Sequence, residues 1–64
     1  MKLINFYGKK VKIVDIDNRT WEGTVTDYIY AEDNEPEIES IIIDTQNIKA
    51  IEFTKAEIKA IEKV

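Results

Sequence analysis

The sequence predicts a small, mainly β domain that is organised around one long, bent strand. The segment 20–30 is rich in Trp, Val, Ile, Thr and Tyr, the residue types that suit a pleated and half-buried surface. Gly23 interrupts this segment, and a lone glycine inside a strand indicates a bulge, a sharp bend or the close approach of another backbone. The other apolar runs are short and are bounded by polar turn residues, which favours further strands.

The alternation of side chains along the long strand predicts which residues face the core. Trp21, Val25 and Ile29 share one face, and we expect them to be buried. Asp27 then falls on the same face, which is unfavourable for a charged side chain. We therefore expect either a second bulge near Asp27, which exchanges the two faces, or a strand that passes from one sheet into another. Small closed barrels need the second behaviour at their corners.

Length and composition exclude several classes of function. Residues 1–64 make one domain, of a size that buries only about 60% of the surface its unfolded chain exposes. The chain has no Cys and no His, which excludes disulfides, thiolate chemistry and the usual zinc ligands. A net charge of −4 disfavours broad attraction to nucleic acid or to anionic lipid. No apolar run reaches signal-peptide or membrane-spanning length, so we expect a cytoplasmic protein that binds no membrane.

The rest of the chain divides into short elements. Leu3, Ile4 and Phe6 are expected to form one helical turn that lies against the mouth of a barrel. The three isoleucines at 41–43 indicate a strand that is buried on both faces, as in the middle of a sheet. The acidic segment 32–39 contains the only proline and is predicted to be an exposed loop. Further strands are predicted at 11–16, 38–44 and 48–53, with hairpin-like loops at 17–19 and 45–47.

The last eleven residues are compatible with two structures. Thr54 and Glu57 match a capping box, and the apolar residues that follow have helical spacing, so local rules favour a short helix. The same residues allow a tight turn at 54–57 and a final strand at 59–64. Local propensity is a weak guide that packing often overrides, so this segment alone leaves both structures open.

The order of these elements resembles the Sm-like (LSm) barrel and its SH3-like relatives. The shared features are a strand, a polar turn, a bent strand with an early glycine, a loop, an apolar strand and the tail from Ile51 to Glu62. In that family a similar tail forms a strand, a 3₁₀ turn and a strand. The resemblance covers residues 8–64 and implies an all-β fold of five strands in a strongly bent small barrel. A short N-terminal helical turn and a 3₁₀ turn before the last strand complete it.

The resemblance also implies a mode of assembly and a ligand. Sm-like proteins commonly form rings by pairing edge strands of neighbouring copies, and they bind RNA with the loops after the bent strand and before the last strand. Gly23 matches the family's strand glycine, but Asp27 precedes Tyr28, whereas the family places the acidic residue after the aromatic one. Asn34 lies late in an acidic loop, and Lys55 is the only cation of the second loop, which lacks the family's Arg-Gly or Lys-His pair. Carboxylates at the place where phosphate would approach oppose RNA binding.

Aromatic side chains form one group of candidate contacts. Tyr28 and Tyr30 are predicted on the solvent face, and with Trp21 and Tyr7 they could form a platform for stacked bases or an alkylated cation. In a chain this short we favour a core position for Trp21. We expect the tyrosines to line a barrel flank or a subunit interface.

Basic side chains near the first hairpin form a second group. Lys9, Lys10, Lys12 and Arg19 could form a small basic edge if the hairpin brings them together. Lysines are also common on edge strands, where their solvated charges prevent unwanted pairing. We favour that second role for them.

Neither a metal site nor a catalytic group is predicted. Glu32, Asp33, Glu35 and Glu37 offer oxygen ligands for Ca²⁺, but the Asp-rich spacing and the glycine of an EF-hand loop are missing, so no cofactor is expected. Ser40 lies in an apolar strand, and no spacing places two carboxylates across a cleft as acid and base. The chain is therefore predicted not to be an enzyme.

Two functions remain for a protein of this kind. The first is a self-assembling protein-interaction module, in which the edge strands of neighbouring copies pair. Any protein partner other than further copies of this chain is unknown. The second is a divergent LSm-type RNA-binding protein that uses aromatic and lysine side chains. The net charge and the departures from the family's motif favour the first. The candidate contacts for a partner or for nucleic acid are Lys9, Lys10, Lys12, Arg19, Tyr28, Tyr30, Asn34 and Lys55.

Overall fold

Alternating apolar and polar residues form five antiparallel strands in a single sheet. The structure is a computed structural model that describes residues 2–64. The sheet order is β4-β3-β2-β1-β5. The strands are β1 (Lys10–Asp15), β2 (Thr20–Ile29), β3 (Ser40–Thr45), β4 (Ile51–Thr54) and β5 (Ile58–Lys63), and 3₁₀ turns span Leu3–Phe6, Ala31–Asp33 and Lys55–Glu57.

The sheet is open, so the prediction of a closed barrel is wrong. Strands β4 and β5 are the two edges, and within residues 2–64 they do not pair with each other. The sheet is nevertheless strongly bent. In a flat sheet the two edges would lie four strand spacings apart, about 19 Å. Only the turn Lys55–Glu57 joins β4 to β5, and the four Cα steps from Thr54 to Ile58 reach at most about 15 Å. The sheet must therefore bend to bring its two edges within this distance.

Gly23 allows the close contact between β2 and β3 that accompanies this bend. It lies opposite Val11 on β1 and opposite Thr45 on β3. A Cβ atom added to Gly23 would collide with the backbone oxygen of Asp44 and would lie 2.9 Å from its carbonyl carbon. The predicted close approach of another backbone is therefore confirmed.

A bulge in β2 exchanges the two faces of the strand, as one of the two alternatives predicted. Val25 is opposite Ile43 and Asp27 is opposite Ile42, so Thr26 is the extra residue. Beyond the bulge Asp27 is exposed, whereas Tyr28 is half-buried and packs against the core. The predictions of Tyr28 on the solvent face and of Ile29 in the core beside Val25 are wrong, because both followed strict alternation past Asp27 and did not apply the change of face to the residues beyond it.

The core lies on the concave side of the bent sheet. Trp21 is half-buried and contacts Phe53 edge to face, with ring centroids 5.6 Å apart. The predicted N-terminal turn is present and inserts Leu3 into the core, while Ile4 remains 44% exposed. The buried apolar residues are Leu3, Val11, Ile13, Val25, Ile41, Ile43, Phe53 and Ile58.

The C-terminal segment adopts the turn and the strand, not the helix. The Thr54 backbone N–H donates to Glu57 Oε1 at 2.9 Å, so the capping signature is used by a turn of three residues. The chain leaves the turn because β5 pairs with β1, placing Ile61 opposite Ile13 in the core. Packing thus overrides the local helical preference.

Candidate functional site

The structure brings two of the predicted aromatic residues and one predicted lysine together. The rings of Tyr28 and Tyr30 meet edge to face, with centroids 5.0 Å apart. The Tyr28 hydroxyl donates a hydrogen bond to Glu39 Oε2 at 3.1 Å. A shallow groove is lined by Tyr28 and Glu39 together with Lys2 and Lys55. Burial, followed by the bond to Glu39, raises the pKa of Tyr28. Tyr30 is 53% exposed, so it is the member of the pair that offers a free ring.

Asn34 has a structural role in the acidic loop. Its amide donates to the Ile38 carbonyl at 2.7 Å and to Ser40 Oγ at 3.1 Å. Ser40 is fully buried and donates to Glu52 Oε2 at 2.7 Å. These bonds tie the loop to β3 and β4, so the amide of Asn34 is not free for a ligand.

The basic edge, which was the less favoured of the two alternatives, does not form. Lys9 and Lys10 lie at the start of β1, whereas Arg19 lies in the loop at its far end, roughly 17 Å away for five residues of strand. Strand β1 is also paired on both sides, by β2 and β5, so its lysines cannot protect a free edge. The prediction of a lysine-protected edge strand is therefore wrong, because it lacked the pairing of β1 with β5.

Lys12 lies between two carboxylates on the outer face of the sheet. It is directly opposite Glu22 on β2 and Glu62 on β5. Opposite charges in facing positions stabilise neighbouring strands by roughly 0.2–1 kcal/mol. This arrangement makes Lys12 part of the sheet's own pairing and a poor contact for phosphate.

Asp15 organises the first hairpin, a role that the sequence reasoning missed. Its Oδ1 accepts the backbone N–H groups of Asp17 and Arg19, and its Oδ2 accepts Trp21 Nε1, all at 2.9 Å. The side chain is 8% exposed. Asp15 shares the parity of the buried Val11 and Ile13, so the sequence places a charged side chain on the core face. That conflict was the signal that could have identified its structural role.

The pKa of Asp15 lies below its usual value, chiefly because Trp21 donates to the carboxylate, and burial opposes this only in part. A carboxyl group whose pKa is lowered in the folded state stabilises the fold at pH values above the ordinary aspartate pKa, about 3.9. That contribution is lost as the pH falls through the folded-state pKa.

We expect Asp15→Asn to reduce the difference between the urea-unfolding free energies at pH 7 and pH 3. Asp17→Asn, an exposed change in the same turn, is the control. An unchanged difference in Asp15→Asn would contradict this role.

A basic groove with an apolar floor runs beside the β5 edge. Phe6 and Ile61 are half-buried and form its floor, and Lys2, Lys59 and Lys63 stand around it. Lys59 Nζ also donates to Asn18 Oδ1 at 2.6 Å. The sequence reasoning did not identify this groove, because the N-terminal turn and the last strand are far apart in the chain.

An acidic groove lies beside the β4 edge. Glu52 and Thr54 contribute from β4, Glu57 from the following turn, and Glu35 with Pro36 from the acidic loop. Glu52 and Glu57 each accept one of the hydrogen bonds described above, from Ser40 and from the Thr54 backbone. One groove is therefore lined by lysines and the other by glutamates, although β5 itself also carries Glu62.

Comparisons with protein-family models, curated proteins and solved structures found no match. Across residues 2–64, no three acidic side chains come together in a way that could hold a metal ion. The same part of the chain has no helix with the length and apolarity to cross a bilayer.

Proposed function

We propose that this protein is a non-enzymatic, self-assembling interaction module of the Sm-like kind, in which β4 of one copy pairs with β5 of the next. The observation that carries this proposal is the open sheet, which leaves one side of β4 and one side of β5 without a partner strand. An unpaired edge presents backbone donors and acceptors that another strand can use.

The side chains at the two edges support the same contact. Ile51 on β4 and Ile61 on β5 are half-buried and pack against the core. A second strand at either edge would cover the apolar surface that each still exposes, at about 25 cal/mol per Å². A domain this small, without a disulfide, gains stability from such added burial. The resemblance to Sm-like barrels, which pair edge strands between copies, points to the same mode.

Sedimentation velocity over a range of concentrations tests the proposal. We expect species heavier than the 7.4 kDa chain that increase with concentration. Ala60→Lys places a charge at an exposed position in the middle of the β5 edge and should shift the protein towards the monomer. Ile48→Lys places the same charge at a 51% exposed loop position and is the control. A native protein that remains a 7.4 kDa monomer at millimolar concentration would refute self-assembly.

RNA binding is the second candidate function, and the tyrosine pair supports it. Tyr30 exposes its ring beside Tyr28, and Lys55 and Lys2 lie in the adjoining groove. Glu39 lies in the same groove and repels phosphate, which places this candidate second.

Titration of a labelled single-stranded RNA at two salt concentrations tests RNA binding. Micromolar or tighter binding that weakens steeply with salt, and that is lost in Tyr30→Ala, would reverse the order of the two candidates.

A further inference from the structure

We infer that the basic groove beside β5 binds a short acidic segment of a different protein, in which a large apolar residue lies between two carboxylates. This inference concerns a partner other than further copies of this chain and does not depend on self-assembly. Phe6 and Ile61 form the floor of the groove, and Lys2, Lys59 and Lys63 stand around it. Among residues 2–64 no carboxylate lines this groove, although the chain carries a net charge of −4.

The spacing of the β5 side chains defines the spacing that the partner needs. Lys59, Ile61 and Lys63 are alternate residues of the chain, and all three line the groove. In strand geometry the two lysines lie about 13 Å apart, with Ile61 midway between them. An extended peptide also repeats its side-chain direction every second residue. It therefore matches the groove when its first and fifth residues are Asp or Glu and its third residue is large and apolar.

The groove combines apolar burial with charge. Phe6 and Ile61 are half-buried, so an apolar side chain laid on them removes further apolar surface from water. Lys59 Nζ donates to Asn18 Oδ1 at 2.6 Å, which holds this ammonium group at one end of the groove. An ammonium group has three N–H donors, so two remain for a carboxylate of the partner. Lys63 offers an exposed ammonium group at the other end.

The sequence of this chain argues against a second copy as the occupant. Nowhere in it does a large apolar residue have Asp or Glu both two residues before it and two residues after it. A nucleic acid would also meet the lysines, but its phosphates continue beyond the groove onto an acidic protein that repels them. A short acidic segment ends within the groove, so we favour a protein partner.

Fluorescence anisotropy with a labelled Gly-Glu-Ser-Leu-Ser-Glu-Gly peptide, in about 50 mM salt, tests this site. We expect saturable binding that Lys59→Gln with Lys63→Gln weakens roughly five- to tenfold, because two exposed ion pairs are lost. Lys9→Gln with Lys49→Gln removes the same charge at exposed positions outside the groove and should bind like the native protein. Equal weakening in both variants, or no binding to the native protein, would overturn the inference.

Two further measurements test the spacing and the direct contact. The peptide Gly-Glu-Glu-Leu-Ser-Ser-Gly has the same composition with adjacent carboxylates, and it should bind several-fold more weakly. Lys59→Glu with Lys63→Glu should lose the first peptide and bind Gly-Lys-Ser-Leu-Ser-Lys-Gly, which also shows that the variant is folded. Equal affinity for the first two peptides would overturn the spacing, and failure of the charge exchange would overturn the direct contact.

A labelled oligouridylate of roughly ten nucleotides is the competing ligand. Tighter binding of this RNA than of the peptide, lost in Lys59→Gln with Lys63→Gln, would overturn the assignment to a protein partner. Sedimentation of the same samples separates this inference from self-assembly. A protein that remains monomeric should still bind the peptide, and a protein that assembles without binding it would refute this inference alone.

Discussion

Ile13→Ala is expected to lower the free energy of unfolding by about 2–5 kcal/mol, the range for removing a large aliphatic side chain from a packed core. Ile13 is fully buried in β1. It is directly opposite Trp21 on β2 and Ile61 on β5, so its side chain joins three strands. A domain of 64 residues has a total stability of roughly 3–10 kcal/mol. This single change therefore removes a large share of that stability.

Urea unfolding followed by tryptophan fluorescence measures this effect, since Trp21 is the only tryptophan and lies beside Ile13. Ile16→Ala is the matched control, because it removes the same atoms from a side chain that is 60% exposed. We expect the control to change stability by about 0.5 kcal/mol or less. Equal losses in the two variants would contradict the assignment of the core.

Gly23→Ala has the second largest expected effect on stability. The added methyl group would collide with the backbone of Asp44 and would lie 3.2 Å from the Cα of Thr45. Backbone atoms in a paired strand cannot rotate away as a side chain can, so β2 and β3 must separate at this point. We expect a loss of about 1–3 kcal/mol, the usual range for overpacking.

Gly8→Ala is the matched control for the collision at Gly23. It adds the same methyl group where nothing lies within 4 Å, but at a φ of 76°, which carries a backbone cost of roughly 1–2 kcal/mol. The two variants differ in where the structure changes. Amide chemical shifts of Asp44 and Thr45 should move in Gly23→Ala and remain in place in Gly8→Ala. Unmoved β3 shifts in Gly23→Ala would contradict the close contact.

Side-chain alternation was enough to predict the strands of the fold, because one face of each strand is buried. All predicted strands are present, with ends displaced by up to three residues, since terminal residues are set by pairing partners and not by local composition. Closure of the barrel was predicted wrongly. Alternation distinguishes a buried face from an exposed one, but it carries no information on whether two edge strands meet.

The candidate site was less accessible to sequence reasoning than the fold. Tyr28, Tyr30 and Lys55 come together as a group, whereas Asn34 is occupied by loop hydrogen bonds and Lys12 lies opposite Glu22 and Glu62 on the neighbouring strands. The oppositely charged grooves combine residues from distant parts of the chain. Only the pairing of the last strand with the first places the N-terminal turn beside β5, and that pairing is a long-range contact.

Amide hydrogen exchange, residue by residue in dilute and concentrated samples, tests most directly whether the free edges of β4 and β5 join copies of this protein. The outward-pointing amides of 51–54 and 58–63 should exchange quickly in the dilute sample and become protected as the concentration rises. Amides of β2, which is paired on both sides, should keep their protection unchanged. Edge amides that exchange equally fast at every concentration would contradict assembly through these strands.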